Sequence, residues 1–359
     1  MTLKDQFFNE DTTLDFANLL AKFHDININT FVKDAIKLYP TLELKGRISQ
    51  LRKTLKEYMP SDYTESMAIF TKMLVHSQQS HFTYAAIMEY IEYYGCDEKY
   101  VALSLEKLGE FTQYFTAEFA IRSFINHFEA LSLETIYNWS LDSDFHKRRL
   151  ASEGTRPRLP WAMNITMEYK KSLRVLNNLY YDTERYVTRS VANHLNDISK
   201  IDPNYVIEIL KSWKKQGKQN KDEMNYIINH SLRSLIKNGN QDALTFLGFN
   251  ENPKVEVELR LSKPEYSIGE YLEFHIDILP LENTNLVIDY SIHYPTKAGN
   301  ISKKVYKIKT SEVFKNKPIS IKRKNKLEIR TTRKLVSGKH QVFVHINGKI
   351  LASKYFNII

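Results

Sequence analysis

Up to about residue 250, apolar residues recur at helical spacing, with few glycines and a turn signal roughly every 12 to 20 residues. In Arg185 to Lys200, Val187, Val191, Leu195 and Ile198 share one helix face, while Arg185, Arg189, Asn193 and Asn196 share another. Asp11-Thr12-Thr13-Leu14 and Ser61-Asp62-Tyr63 place capping side chains just ahead of apolar-periodic runs. Gly95, Gly109, Gly217 and Gly239 fall near helix ends or in connections. Repeat identity is poor, but a pair of helices returns at a spacing of roughly 35 to 45 residues, the period of helical-repeat arrays. One pair cannot bury its own apolar face, so neighbours stack into a curved solenoid with a concave surface.

The pattern changes at Gly248 to Pro253. Beyond it, Lys254 to Leu259, Tyr271 to Leu279 and Leu286 to Ile292 alternate with period two. Val305 to Lys309, Leu327 to Thr331 and Gln341 to Ile346 extend the set of short strands, and Ser337-Gly338 and Asn347-Gly348 supply turns. About seven strands in roughly 110 residues is the pattern of an immunoglobulin-like β-sandwich. The predicted architecture is an all-α HEAT-like repeat solenoid over residues 1–250, followed by the β-sandwich over 251–359.

Composition changes this picture little. At 359 residues and 42% hydrophobic the chain fits two globular domains, and no run approaches the 18 or so apolar residues of a membrane span. No apolar stretch follows Met1 to Gln6, so no signal peptide is expected. The single cysteine, Cys96, excludes an internal disulfide and a multi-cysteine metal site. A cytoplasmic, nucleoid-associated monomer with no membrane contact is the simplest expectation. Net charge is +9, and its distribution is uneven. From Lys297 to Lys339 there are 15 Lys or Arg against two acids, Glu312 and Glu328, or 15 minus 2, +13. Such a stretch fits a polyanionic partner, and fits solubilising charge on strand faces about equally well. His127 and His146 stand isolated, no HExxH spacing occurs, and no glycine-rich phosphate cradle is present, so neither metal nor cofactor is expected.

The densest chemistry lies in Phe145 to Trp161, FHKRRLASEGTRPRLPW. Lys147, Arg148, Arg149, Arg156 and Arg158 surround one acid, Glu153, beside a glycine, two prolines and a tryptophan. A carboxylate in the last turn of a helix opposes the helix dipole, so Glu153 calls for an external reason such as a cationic ligand. This segment resembles the AlkC branch of the alkylpurine DNA glycosylases, through Ser152-Glu153-Gly154-Thr155-Arg156-Pro157-Arg158-Leu159-Pro160-Trp161. Ala117-Glu118-Phe119-Ala120-Ile121-Arg122 upstream and Val187 to Lys200 downstream agree in order and spacing. The resemblance runs over nearly the whole chain, since the tail is similar to the immunoglobulin-like domain of the longer AlkC subtype. One departure stands in the upstream motif, where Ser123 occupies the position of an expected Pro.

The resemblance implies a monofunctional N-glycosylase acting on double-stranded DNA that contains cationic N3-alkylated bases. A positive base leaves without a general acid, so the chemistry needed is carboxylate stabilisation of an oxocarbenium-like sugar and a positioned water. Glu118 and Glu153 are the candidate pair, with Tyr114, Phe115, Phe119, Phe124 and Phe128 expected to desolvate Glu118. Trp161 is the candidate aromatic for the cationic lesion, and Asp197 joins it as a candidate substrate contact, with inter-repeat hydrogen bonding as its structural alternative. Arg149, Arg156, Arg158 and Arg189 are candidate phosphate contacts, some of which would instead pair with Glu153. No lysine in these motifs stands where a Schiff-base nucleophile would. A rival reading is a catalytically silent HEAT-repeat scaffold that binds DNA or protein.

Overall fold

The computed structural model describes residues 2–77, 80–296, 299–329 and 335–359. Helices run from Leu3 to Phe246 and strands from Val255 to Ile358, the order expected from the hydrophobic pattern. No helix among the described residues is long and apolar enough to cross a membrane.

Local sequence explains where helices start. Asn9, rather than Asp11, caps the Glu10–Leu20 helix: its side chain accepts from Thr12 N, and Thr12 Oγ1 accepts from Asn9 N in return. Asp11 stands instead in the first turn, where the helix dipole favours an acid. Asp62 caps the Tyr63–Ser77 helix as expected, accepting from Glu65 N at 2.9 Å. Val187, Val191, Leu195 and Ile198 are buried, and Asn196 turns inward with them. Ion pairs tie helices about one repeat apart: Arg52 to Glu89, Arg148 to Asp182, Arg156 to Asp197 and Arg185 to Glu223, separated by 37, 34, 41 and 38 residues. These separations match the repeat period, so the array is joined laterally by charge as well as by apolar burial.

The strands form two sheets. The smaller has the order β1 (Val255–Leu261), β3 (Tyr271–Pro280), β6 (Ile319–Lys326); the larger has the order β2 (Glu265–Tyr266), β8 (Lys349–Ile358), β7 (Gly338–Ile346), β4 (Thr284–Pro295), β5 (Ile301–Val313). Pairing is antiparallel except between β2 and β8. Phe274, Ile276, Ile278, Ile288, Ile292, Val342 and Val344 meet in the core between the sheets. The strand expected at Leu327 to Thr331 is not one over Leu327–Ile329, and Arg330 and Thr331 lie outside the described residues, as do Lys297, Arg333 and Lys334 of the basic stretch. β6, just before it, escaped the pattern because its inward positions carry Arg323 and Asn325 as well as Ile319 and Ile321. Asn325 is buried and donates to Tyr290 Oη at 3.0 Å.

Packing divides the chain into two compact units: Met1–Ile198 with Trp213–His230, and Ser199–Ser212 with Ser231–Ile359. The residues singled out as candidate chemistry all belong to the first.

Candidate active site

Asp144 starts the Phe145–Gly154 helix by accepting from His146 N at 2.9 Å. Its last residue must be glycine, because a Cβ at Gly154 would strike the side chain of Ile121. That close approach brings the helix against the N-terminal end of the Ile121–His127 helix. Glu118 lies in the turn just before that end. The Ile121–His127 helix is regular through Ser123, whose hydroxyl donates to Glu92 Oε1 at 2.6 Å. A proline there would have no such bond.

Glu118, Glu153 and Asp197 are then strung together by two arginines. Arg149 Nη1 lies 2.5 Å from Glu118 Oε2, and its Nη2 lies 3.8 Å from Glu153 Oε1. Arg156 Nη1 donates to Glu153 Oε1 at 2.5 Å, while its Nε and Nη2 reach Asp197 Oδ2 at 2.8 and 2.7 Å. Thr116 Oγ1 donates to Glu118 Oε2 at 2.9 Å, and Ser190 Oγ, from the Arg185–Ile198 helix, donates to Glu153 Oε2 at 2.6 Å. The result is an alternating row, acid, base, acid, base, acid, running inward from Glu118 to Asp197.

Electrostatics follow from that row. Burial pushes the Glu153 carboxyl up, but Arg149, Arg156 and the Ser190 hydroxyl more than offset it and hold it below the usual carboxylate range. The reason for a carboxylate at the unfavourable end of this helix is therefore internal, a pair of guanidiniums. Arg122, fully buried, donates Nη1 to the carbonyls of Gly154 and Arg156 at 3.2 and 2.8 Å, and Nε to Met163 O at 2.6 Å. Burial lowers it to about 10, which leaves it charged at neutral pH. Three guanidiniums thus face three carboxylates, and the site is neutral in sum while ending in an acid, Glu118. His194 is buried beside the row and pulled down to about 4 by burial. Its Nδ1 lies 2.9 Å from Ser152 O, so the neutral ring carries its proton on Nδ1.

Three of the aromatics expected around Glu118 have contacts of their own. Phe115 packs edge-on against Phe82, Phe124 is core, and Phe119 lies under the Lys45 ammonium. Arg149 and Thr116 are the polar neighbours of Glu118. Arg149 and Arg156 do not stand free for phosphate, since both are largely buried in ion pairs, and Asp197 lies beneath Arg156, orienting it. Arg158 and Arg189 are exposed and, among the described residues, have no ion-pair partner. Trp161 is 74% exposed with φ +68°, whereas Trp139 and Trp213 are core. Tyr186, exposed, has the Arg149 guanidinium 5.0 Å from its ring centre and sets an aromatic surface beside the row. Arg122, Ser190 and His194 were visible only as parts of motifs, and Tyr186 and Lys45 carry no local sequence signal of a role.

Comparison with known proteins supplies a family. A family model described as DNA alkylation repair enzyme matches residues 44–235, and one described as the YhaZ C-terminal Ig-like domain matches residues 256–359. The YhaZ protein of Bacillus subtilis (strain 168) is 32% identical over 360 residues, spanning 98% of each chain. Pseudomonas fluorescens alkylpurine DNA glycosylase AlkC, solved bound to DNA containing an abasic site analog, superposes with a TM-score of 0.92 at 30% identity, covering 100% of both chains.

Proposed function

The chain belongs to the DNA alkylation repair enzyme family, and from that premise we propose that it is a monofunctional DNA N-glycosylase for cationic N3-alkylated bases such as 3-methyladenine. The single observation that carries this reading is the carboxylate row ending at Glu118, with the exposed Tyr186 ring against its Arg149 and an exposed Trp161 in the same motif as Glu153. In the reaction the bond between C1′ and the base nitrogen breaks, and its electron pair neutralises the positive base. The base leaves without a proton, and the positive charge moves to the sugar. Glu118 faces that charge and takes the proton of the water that attacks C1′, leaving an abasic site. Glu153, kept ionised by its arginines, adds a fixed negative charge behind Arg149, and preorganised charges of this kind cost no reorganisation during reaction. Trp161 offers its π-face to the cationic lesion, Arg158 and Arg189 meet phosphate, and the basic sandwich adds further phosphate-binding charge. A silent repeat scaffold would have no use for an exposed tryptophan in a backbone conformation that disfavours a side chain.

The test is release of free base from methylated double-stranded DNA by the purified protein, with alkaline treatment revealing abasic sites. Absence of release under conditions where the protein binds that DNA would favour the scaffold.

A further inference from the structure

Trp161 takes a place in its turn that tryptophan seldom takes. Leu159–Ala162 is closed by Ala162 N donating to Leu159 O at 3.2 Å, with Pro160 second and Trp161 third at φ +68°. These are the marks of a type II turn, whose third position is ordinarily glycine because a Cβ crowds the backbone there. Such strain persists only where the surroundings over-determine it, and here they do. From the Ile121–His127 helix, Arg122 Nε donates to Met163 O at 2.6 Å. Asn126 Nδ2 donates to Asn164 O at 3.0 Å, and its Oδ1 accepts from Thr166 N at 2.9 Å. These bonds hold the segment that follows the turn. The turn itself is held from far away in sequence: Lys45, on the Leu44–Tyr58 helix, donates Nζ to Trp161 O. The same ammonium lies 5.7 Å from the ring centre of Phe119, next to Glu118.

We propose that Lys45 is a positioning residue: its ammonium ties the Trp161 carbonyl to the turn that carries Glu118, and so fixes the exposed indole relative to the carboxylate. The consequence for catalysis rests on the glycosylase reading, whereas the tether itself does not.

Trp139 and Trp213 are 6% and 2% exposed against 74% for Trp161, so the acrylamide-quenchable fluorescence reports Trp161. In Lys45→Met the anisotropy decay of that component should gain a fast local motion. Single-turnover excision of 3-methyladenine should fall by on the order of tenfold to a hundredfold, the scale of a misplaced reacting group. DNA affinity and its salt dependence should stay unchanged. Lys45→Arg, which keeps a donor, should recover the wild-type anisotropy and most of the rate, and in a Trp161→Ala background Lys45→Met should slow excision no further. A Lys45→Met protein with unchanged anisotropy and rate overturns the proposal. So does one with unchanged anisotropy, weaker binding and a slope of log K against log salt shallower by roughly 0.9, since Lys45 would then bind phosphate directly. If the wild-type protein releases no base, the glycosylase reading falls and the anisotropy alone decides the tether.

Discussion

Glu118 and Glu153 share Arg149, yet a substitution at each would disturb different things. Glu118 has its carboxylate at the solvent end of the row, so Glu118→Gln should keep DNA affinity and lose less stability than Glu153→Gln. Its single-turnover excision should drop about a hundred- to thousandfold, the usual effect of losing one preorganised electrostatic group. Glu153→Gln also leaves two buried guanidiniums short of charge, so a lower urea midpoint should accompany its loss of rate. Full activity in both variants would remove the carboxylates from the mechanism. Because Glu153 is held ionised, it cannot serve as a general acid. An oligonucleotide carrying a neutral lesion such as hypoxanthine should therefore show no release in a single-turnover assay. His194 sets a pH dependence of stability. Its folded value of about 4 lies below the ordinary 6.5, so the unfolded chain binds the proton first and stability is lost as pH falls from 6.5 towards 4. A difference of 6.5 minus 4, about 2.5, corresponds to on the order of 3 kcal/mol. His345 in the sandwich, also pulled down to about 4 by burial, acts with the same sign. Urea denaturation of His194→Gln across that range should show a shallower pH slope than wild type; in what remains, His345, His293 and His340 act with the same sign, and Glu92 and Asp289, raised by burial to about 7 and about 6, with the opposite.

Between helices, the row is also a fastening. Arg156 joins the Phe145–Gly154 segment to the Arg185–Ile198 helix through Asp197, and both side chains are buried. Arg156→Leu removes the guanidinium that Glu153 and Asp197 share, a loss of about 3 to 5 kcal/mol for a broken buried pair. The exposed Lys211–Glu208 pair on one helix is the contrast, because its side chains are 51% and 70% exposed. Lys211→Ala should shift stability by less than about 1 kcal/mol. Chemical denaturation of the two variants side by side distinguishes a fastening from a surface decoration.

On the scale of the whole molecule, charge is the property with reach. Lys303, Lys304 and Lys307 are exposed on β5 and have no ion-pair partner among the described residues, whereas Lys322 and Lys324 are engaged by Glu273. The first three are the better candidates for DNA phosphate. Replacing them by Gln in the full-length protein should weaken binding to undamaged and damaged DNA alike. For every phosphate that is no longer neutralised, the slope of log K against log salt should become shallower by roughly 0.9. Unchanged affinity and slope would return these lysines to the role of solubilising charge.

Helical and strand periodicity, set by which side chains must leave water, carried the order of elements and the change of class after Phe246. The sequence also marked Glu153, Trp161 and their arginines through one contiguous motif rich in uncommon residues, and Glu118 through a second one upstream. Burial is a property of neighbours distant in the chain, and that part only the tertiary structure decided. Arg149 and Arg156 read first as phosphate ligands and only second as partners of Glu153 until Glu118, 31 residues before Arg149, and Asp197, 41 residues after Arg156, close on them. β6 hides behind Arg323 and Asn325, since a polar residue with a buried partner has no hydrophobic signature. The link from Lys45 to Trp161 spans 116 residues, and a carbonyl is the one acceptor every residue has, so no side-chain pattern could have announced it.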